Sequence, residues 1–355
     1  MNYSAIIKKA VLDLKKTSIQ LPELDARVIL EHILKRDSSY IYSHPEMLLT
    51  NAQFSRFQRL IRQRQKGMPI AYITGHKEFY GLDFFVNKNV LIPRPETELL
   101  VEQAIEFIKC HCAVSAKKQS GLPRSDRPAS PAGGSVGARN DRNGSFNIID
   151  VGTGSGCIII SILKEIQKLE IGNCLPAVAR LRQAGKLEIK YHASDISRKA
   201  LYIAKKNAEL HKVNSDIRFF HSDIFANKRM PKKYDIIIAN LPYVPKNNSK
   251  LITNNFPTIQ KCRDSDRSVR IKLKDGIYFE PQDAIFAKDN GMRIIKKFLD
   301  QAKNHLNSDG LILFEVDPRN AKELKRCAQS IFPQAKIEII KDLANHNRAI
   351  KIILI

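Results

Sequence analysis

Apolar positions recur at intervals of three and four through the first 66 residues, most clearly in LPELDARVILEHILKR, where Leu24, Val28, Ile29, Ile33 and Leu34 mark one face of a helix. The spacing predicts a small helical domain over residues 1–69. From 70 to 93 the pattern changes: IAYITGHKEFYGLDFFVNKNVLIP is β-branched and aromatic, with Gly75, Gly81 and Asn87 as turn formers. This predicts a β-hairpin linker. RPETELLVEQAIEFI then places Pro95 near a helix start, with acids in the first turn and apolar residues at helical spacing.

Beyond that helix, short continuous apolar runs alternate with helical patterns. The expected strands are FNIIDVG (146–152), IKYHASD (189–195), IRFFHSD (217–223), YDIIIAN (234–240), LILFEVD (311–317) and AIKIILI (349–355). Alternation of this kind predicts an α/β domain over 94–355 with a doubly wound, mostly parallel sheet. Two segments interrupt the pattern. Residues 113–145 are rich in Gly, Ser, Pro and Arg and poor in bulky apolar residues, which predicts disorder. Residues 170–187 form an inserted loop before the second strand. Both insertions enter at the N-terminal ends of strands, away from the edge where such sheets bind ligands, so both are expected to be dispensable.

Charge adds a partner class to this picture. Lys and Arg outnumber Asp and Glu by 59 to 36 in 355 residues, a formal net charge of +23. That excess favours proximity to a polyanion such as RNA or the ribosome. The cysteines at 110, 112, 157, 174, 262 and 327 lack the spacing of a structural zinc site, and no metal is expected. Neither a signal-peptide pattern nor a membrane-length apolar run is read from the sequence, which points to the cytoplasm and no membrane association.

The chemistry concentrates where strands end. IIDVGTGSGCIII carries Gly152, Thr153, Gly154, Ser155 and Gly156 between a strand and a helix, a turn in which a ligand can lie against bare backbone. A dinucleotide fingerprint would need glycine at 157, where Cys157 stands, so the motif points to a nucleoside without pyrophosphate. Asp195 ends the next strand and can accept hydrogen bonds from a ribose diol, once the 170–187 insertion is allowed for. Asp223, with Ile224 beside it, ends the third and suits an adenine. At the end of the fourth, Asn240, Leu241, Pro242 and Tyr243 offer a side-chain carbonyl, a backbone carbonyl, a stiff turn and a flat wall. Two acceptors can hold both hydrogens of a planar NH2 group and favour the pyramidal nitrogen of a transition state.

With these residues in place, the chain resembles the class I methyltransferases that use S-adenosylmethionine, and within them the protein-(glutamine-N5) methyltransferases of peptide chain release factors. DARVILEHIL is similar to that family's helical N-terminal domain, and PIAYITGHKEFYGLDFFVNKNVLIPRPETELL to its hairpin and R-P-x-T-E segment. DVGTGSG, SDIS, SDIF and DLANHNRAI follow in the family's order. The resemblance implies a Rossmann-like domain with a mostly parallel seven-stranded sheet, preceded by the helical substrate-docking domain and hairpin. It implies that Gly152 to Gly156 hold the methionine part of S-adenosylmethionine, Asp195 the ribose, Asp223 and Ile224 the adenine, and Asn240 to Tyr243 the substrate glutamine. The family's usual motif is N-P-P-Y; N-L-P-Y is typical of adenine-N6 dimethyltransferases of ribosomal RNA, so the alternative is an adenine-N6 methyltransferase of ribosomal RNA or DNA. A second alternative is a cofactor-binding homologue with impaired catalysis, since AKDNGM, EVDPRN and the long 246–280 segment also depart from the family pattern.

Overall fold

The computed structural model describes residues 1–17, 19–119, 145–171, 188–245, 276–287 and 291–354. The chain forms two compact units, one of residues 1–77, 86–88 and 247–282, the other of 78–85, 89–246 and 283–355.

The first unit is helical: α1 (Tyr3–Lys15), α2 (Pro22–Leu34), α3 (Ser38–Ser43), α4 (Asn51–Gln65) and α5 (Ile70–Thr74). Asn2 starts α1 by accepting from the Ala5 N–H at 2.8 Å, and Thr50 and Gln53 form a reciprocal capping box at α4. The core joins Ile6, Ala10 and Leu14 of α1 to Ala26, Ile29, Leu30 and Ile33 of α2 and to Phe57, Leu60 and Ile61 of α4. Ile29 and Ile33 of the expected stripe lie in this core, joined by Ala26 and Leu30, whereas Leu24 is 39% exposed. The buried Asp25 carboxylate accepts from Arg64 Nε at 2.6 Å, tying α2 to α4. The first residues of the expected hairpin instead form α5. Pro69 precedes that helix and Gly75, at φ 79°, ends it in the left-handed conformation.

The hairpin proper is β1 (His76–Phe79) and β2 (Leu82–Phe85). Its two-residue turn, Tyr80 and Gly81, has φ of 52° and 70°, the twist that suits a tight hairpin. Glu78 accepts from the Gly81 N–H at 2.6 Å, and Glu98 accepts from the Tyr80 N–H at 2.9 Å. The last acid of R-P-E-T-E therefore holds the hairpin turn. A 3₁₀ turn, Pro95–Thr97, leads into α6 (Glu98–Gln119). That helix runs through residues 113–119 of the segment expected to be disordered; 120–144 lie outside the described residues. Likewise, Glu170 and Ile171 of the second insertion close a helix, and 172–187 lie outside.

The sheet comprises β3 (Ser145–Val151), β4 (Glu188–Asp195), β5 (Ile217–His221), β6 (Tyr234–Ala239), β9 (Leu306–Glu315), β10 (Lys336–Lys341) and β11 (Asn347–Ile353), with α7 (Cys157–Ile171) and α8 (Arg198–Leu210) interspersed. A two-residue β7 (Val244–Pro245) pairs with β8 (Phe286–Ala287), which follows α9 (Gln282–Ile285); α10 (Arg293–His305) and α11 (Ala321–Ile331) flank β9. Spatial order is β10–β11–β9–β6–β3–β4–β5, with β11 antiparallel to both neighbours and the pairs from β9 to β5 parallel. This is the mostly parallel seven-stranded α/β sheet expected. Alternate residues supply opposite faces: Ile148, Ile236, Ile238, Leu311 and Leu313 pack with α6 and α7, while Ile149, Val151, Ile237, Ile312 and Phe314 pack with α10 and α11. Two-sided burial is why these strands read as unbroken apolar runs.

Asn207 of α8 ties the hairpin to the first loop of the sheet. Its fully buried side chain accepts from the Phe85 N–H at 2.7 Å and donates to the Phe85 carbonyl at 3.0 Å and the Ser155 carbonyl at 2.8 Å. Replacing it with Leu strands these backbone groups, and Asn207→Leu is expected to cost about 2–4 kcal/mol in urea unfolding. A loss under about 1 kcal/mol would show that the hairpin and loop are held by other contacts.

Candidate functional site

The chain reverses its winding direction between β3 and β6, and ligands of such sheets bind beyond the C-terminal ends of the strands at that point. The loop after β3 is lashed to the end of β4. The Gly152 and Thr153 N–H groups both donate to the Ser194 carbonyl, at 2.8 and 2.9 Å, and the Gly156 N–H donates to the Thr153 carbonyl at 2.8 Å. The Gly154 N–H donates to Asp195 Oδ2 at 2.9 Å. These four donors are therefore engaged within the protein. Gly152, Gly154 and Gly156 all have positive φ. A Cβ on Gly154 would meet nothing nearer than the Gly152 carbonyl oxygen at 4.0 Å, leaving open space above that residue. Thr153 and Ser155 are buried, and their carbonyls already accept from the Gly156 N–H and from Asn207.

Two carboxylates sit beneath this loop. Asp150 is fully buried and accepts from the Thr153 hydroxyl at 2.6 Å. Burial pushes its pKa up to about 7, opposed by that hydroxyl and reinforced by the Asp195 carboxylate. Asp195 ends β4 as expected, and burial raises its pKa against the backbone N–H groups of Ser197 and Gly154. Each Asp195 oxygen takes one of those N–H bonds, Oδ1 from Ser197 at 2.7 Å. A carboxylate oxygen has a second lone pair, so both can still accept from a diol.

Asp223 lies two residues beyond β5, which ends at His221 rather than at 223. Its carboxylate pairs with Lys297 of α10 at 2.5 Å, both side chains being about half exposed. The Ile224 side chain is buried in the core, and its φ of 55° is unusual for a β-branched residue. The Ser222 N–H donates to the Asp195 carbonyl at 3.0 Å, which ties the chain leading into Asp223 to the end of β4.

At the end of β6 the half-buried Asn240 and Tyr243 join a network with two residues that the sequence reading had assigned no role. Asn240 Nδ2 donates to Thr97 Oγ1 at 3.0 Å, the Thr97 hydroxyl donates to Glu315 Oε2 at 2.6 Å, and the Tyr243 hydroxyl donates to Glu315 Oε1 at 2.7 Å. Thr97 is 2% and Glu315 3% exposed. Burial raises the Glu315 pKa, opposed by both hydroxyls and by Arg348; burial and Glu315 hold Tyr243 far above the usual phenol range, so it stays a donor. Thr97 belongs to the R-P-E-T-E motif and Glu315 to LILFEVD, but 218 residues separate them. Leu241 is buried with its Cδ2 only 2.9 Å from where a Gly152 Cβ would stand, so a leucine fits this position because residue 152 is glycine. Gly291, at φ +87°, touches Tyr243 so closely that a Cβ would lie 1.8 Å from its carbonyl oxygen. Among the described residues no cluster of His, Cys, Asp or Glu could hold a metal, and no helix is long and apolar enough to cross a membrane.

With this geometry established, comparison with known proteins gives consistent results. Residues 5–75 match the PrmC N-terminal domain, and 136–267 match N-6 DNA Methylase. A release factor glutamine methyltransferase from Rhodopirellula baltica is 30% identical over 334 residues, 94% of this chain and 90% of that protein. One from Koribacter versatilis is 31% identical over 316 residues, 89% and 86% of the two chains. A bifunctional methyltransferase from Rickettsia bellii is 31% identical across 100% of this chain, which spans only 56% of that protein's length. Near-full-length similarity at this identity, together with the matched N-terminal domain, establishes that the chain belongs to the release factor glutamine methyltransferase family.

Proposed function

We propose that the chain uses S-adenosylmethionine to methylate the side-chain amide nitrogen of the glutamine in the Gly-Gly-Gln loop of peptide chain release factors. The observation that carries this reading is the end of β6, where Asn240 gives its amide N–H to Thr97 and so turns its own carbonyl away from that hydroxyl. Beside it stands the Leu241 backbone carbonyl, a second acceptor for a substrate NH2 group. Tyr243, held by Glu315, supplies a fixed aromatic surface for the substrate's apolar part.

The residues beyond β3 and β4 suit the cofactor. The open backbone at Gly154 leaves room for its methionine part, Asp195 accepts from its ribose, and Asp223 with the Ile224 backbone borders its adenine. The repulsion between the Asp150 and Asp195 carboxylates is relieved by a cationic ligand. When bound, S-adenosylmethionine supplies an electrophilic methyl group on a sulfonium centre. The protein's part is to hold the amide's hydrogens, orient its nitrogen and exclude competing acceptors. The helical unit is the docking surface for the release factor, and the +23 charge suits a partner that works on the ribosome in the cytoplasm.

A second reading is favoured by the match to N-6 DNA Methylase over 136–267: an adenine amine offers the same NH2 geometry to the same acceptors. Transfer of labelled methyl to purified release factor, its Gln-to-Ala loop variant and ribosomal RNA separates the two. Label on the intact release factor and not on the variant is expected; label on RNA alone would replace the glutamine reading.

Asn240→Ala is expected to lower turnover by about 10² to 10³, the scale of losing one preorganised polar contact, and a loss below about tenfold would remove the clamp role. Cofactor affinity is expected to weaken by about tenfold between pH 8 and pH 6, because protonating Asp150 removes a charge that favours the cation. Calorimetry on Asp150→Asn should show a flat profile over this range, and an equal slope in both proteins would contradict the assignment.

A further inference from the structure

The clamp needs its asparagine to face the substrate with oxygen and not with nitrogen, and a carboxamide has nearly the same shape either way. We propose that Thr97 and Glu315 are positioning residues that set this orientation and thereby make the site select an amide over a carboxylate; the inference rests on the glutamine reading above. Glu315, when ionised, can only accept, and both of its oxygens are taken, one by the Thr97 hydroxyl and one by the Tyr243 hydroxyl. A hydroxyl has a single proton. With that proton committed to Glu315, Thr97 Oγ1 can offer Asn240 only a lone pair, and Asn240 must answer with Nδ2, as observed at 3.0 Å. Among the described residues nothing donates to Asn240 Oδ1, which leaves it as the acceptor. The polarity thus runs one way from a buried carboxylate on β9 through a hydroxyl ahead of α6 to the amide beyond β6. The same carboxylate anchors the Tyr243 ring, so one group sets both the polar and the flat side of the clamp.

The arrangement predicts selectivity as well as rate. Two fixed acceptors attract the NH2 of a glutamine and repel the oxygens of a glutamate. If Asn240 could turn over, its NH2 would welcome a carboxylate. Glu315→Gln keeps the shape but can donate to Thr97, freeing the threonine proton to point at Asn240 and permitting the wrong orientation. Thr97→Val keeps the volume and removes the link, whereas Thr97→Ser restores it.

The experiment measures kcat and KM for release factor, cofactor affinity by calorimetry, and inhibition by a release factor whose loop glutamine is glutamate. Thr97→Val and Glu315→Gln are expected to lower kcat by about tenfold or more, with KM and cofactor affinity within about threefold of wild type. Thr97→Ser is expected to stay within about threefold of wild type in kcat, and the glutamate loop to compete at least about threefold better against Glu315→Gln than against wild type. Either isosteric variant retaining kcat within about threefold, a fall in kcat matched by lost cofactor affinity, failure of Thr97→Ser to rescue, or unchanged competition by the glutamate loop would overturn the proposal. A wild-type protein that labels no glutamine would overturn the underlying reading, and this inference with it.

Discussion

The candidate site depends on one buried carboxylate. Glu315 lies at the end of β9 with 3% of its surface exposed, and its two oxygens accept from two hydroxyls. An ionised carboxylate in a protein interior is tolerated only when its oxygens are hydrogen-bonded. Here the donors come from widely separated parts of the chain, so satisfying Glu315 also fixes Thr97 and Tyr243 beside Asn240, the residues of the proposed clamp. Thr97 is brought from the turn ahead of α6 and Tyr243 from the turn beyond β6. Glycine at 291 leaves room for the Tyr243 backbone, and glycine at 152 leaves room for Leu241. The departure from a proline at position 241 is thereby absorbed locally: a branched apolar side chain fills space over a bare backbone, and the carbonyl of the proposed clamp belongs to residue 241 whichever side chain it carries.

The neighbouring half of the site is organised by backbone groups. Ser194 and Asp195 at the end of β4 take hydrogen bonds from the glycine loop, so the loop's shape follows from the pairing of β3 with β4. Asp195 stabilises the loop in consequence, one oxygen accepting from the Gly154 N–H and the other from the Ser197 N–H. Burial raises the pKa of both Asp150 and Asp195, and the Asp195 carboxylate adds to the rise at Asp150.

How far this was legible in the sequence follows from which contacts are local. Strands buried on both faces announce themselves as continuous apolar runs, and β3, β4 and β6 fall within a residue of their expected bounds. The antiparallel edge strand β10, KIEIIK, has only partial burial, and its alternating charges give it the pattern of a surface segment. The start of β9 was hidden by Asn307, Ser308, Asp309 and Gly310, which read as a turn; Asp309 does take a positive φ of 59°, and the strand continues through it. IAYIT reads as β-branched strand but lies between Pro69 and a left-handed Gly75, and these terminators decide for a helical turn. Asp195 and Asn240 were recognisable because each ends its run. Thr97 and Glu315 were not, because hydrogen bonds between positions 218 residues apart leave no periodicity to read. The inward orientation of Thr153 and Ser155 was equally invisible, since a glycine-rich turn has the same composition whichever way its side chains face.

Neutron diffraction from a deuterated crystal would examine the governing constraint most directly, because it locates the deuterons that set the direction of the chain from Glu315 to Asn240. The Thr97 deuteron is expected on the side of Glu315 Oε2, the Tyr243 deuteron on the side of Oε1, and an Asn240 Nδ2 deuteron directed at Thr97 Oγ1. A deuteron on Thr97 Oγ1 directed at Asn240, with the amide oxygen facing the threonine, would contradict it.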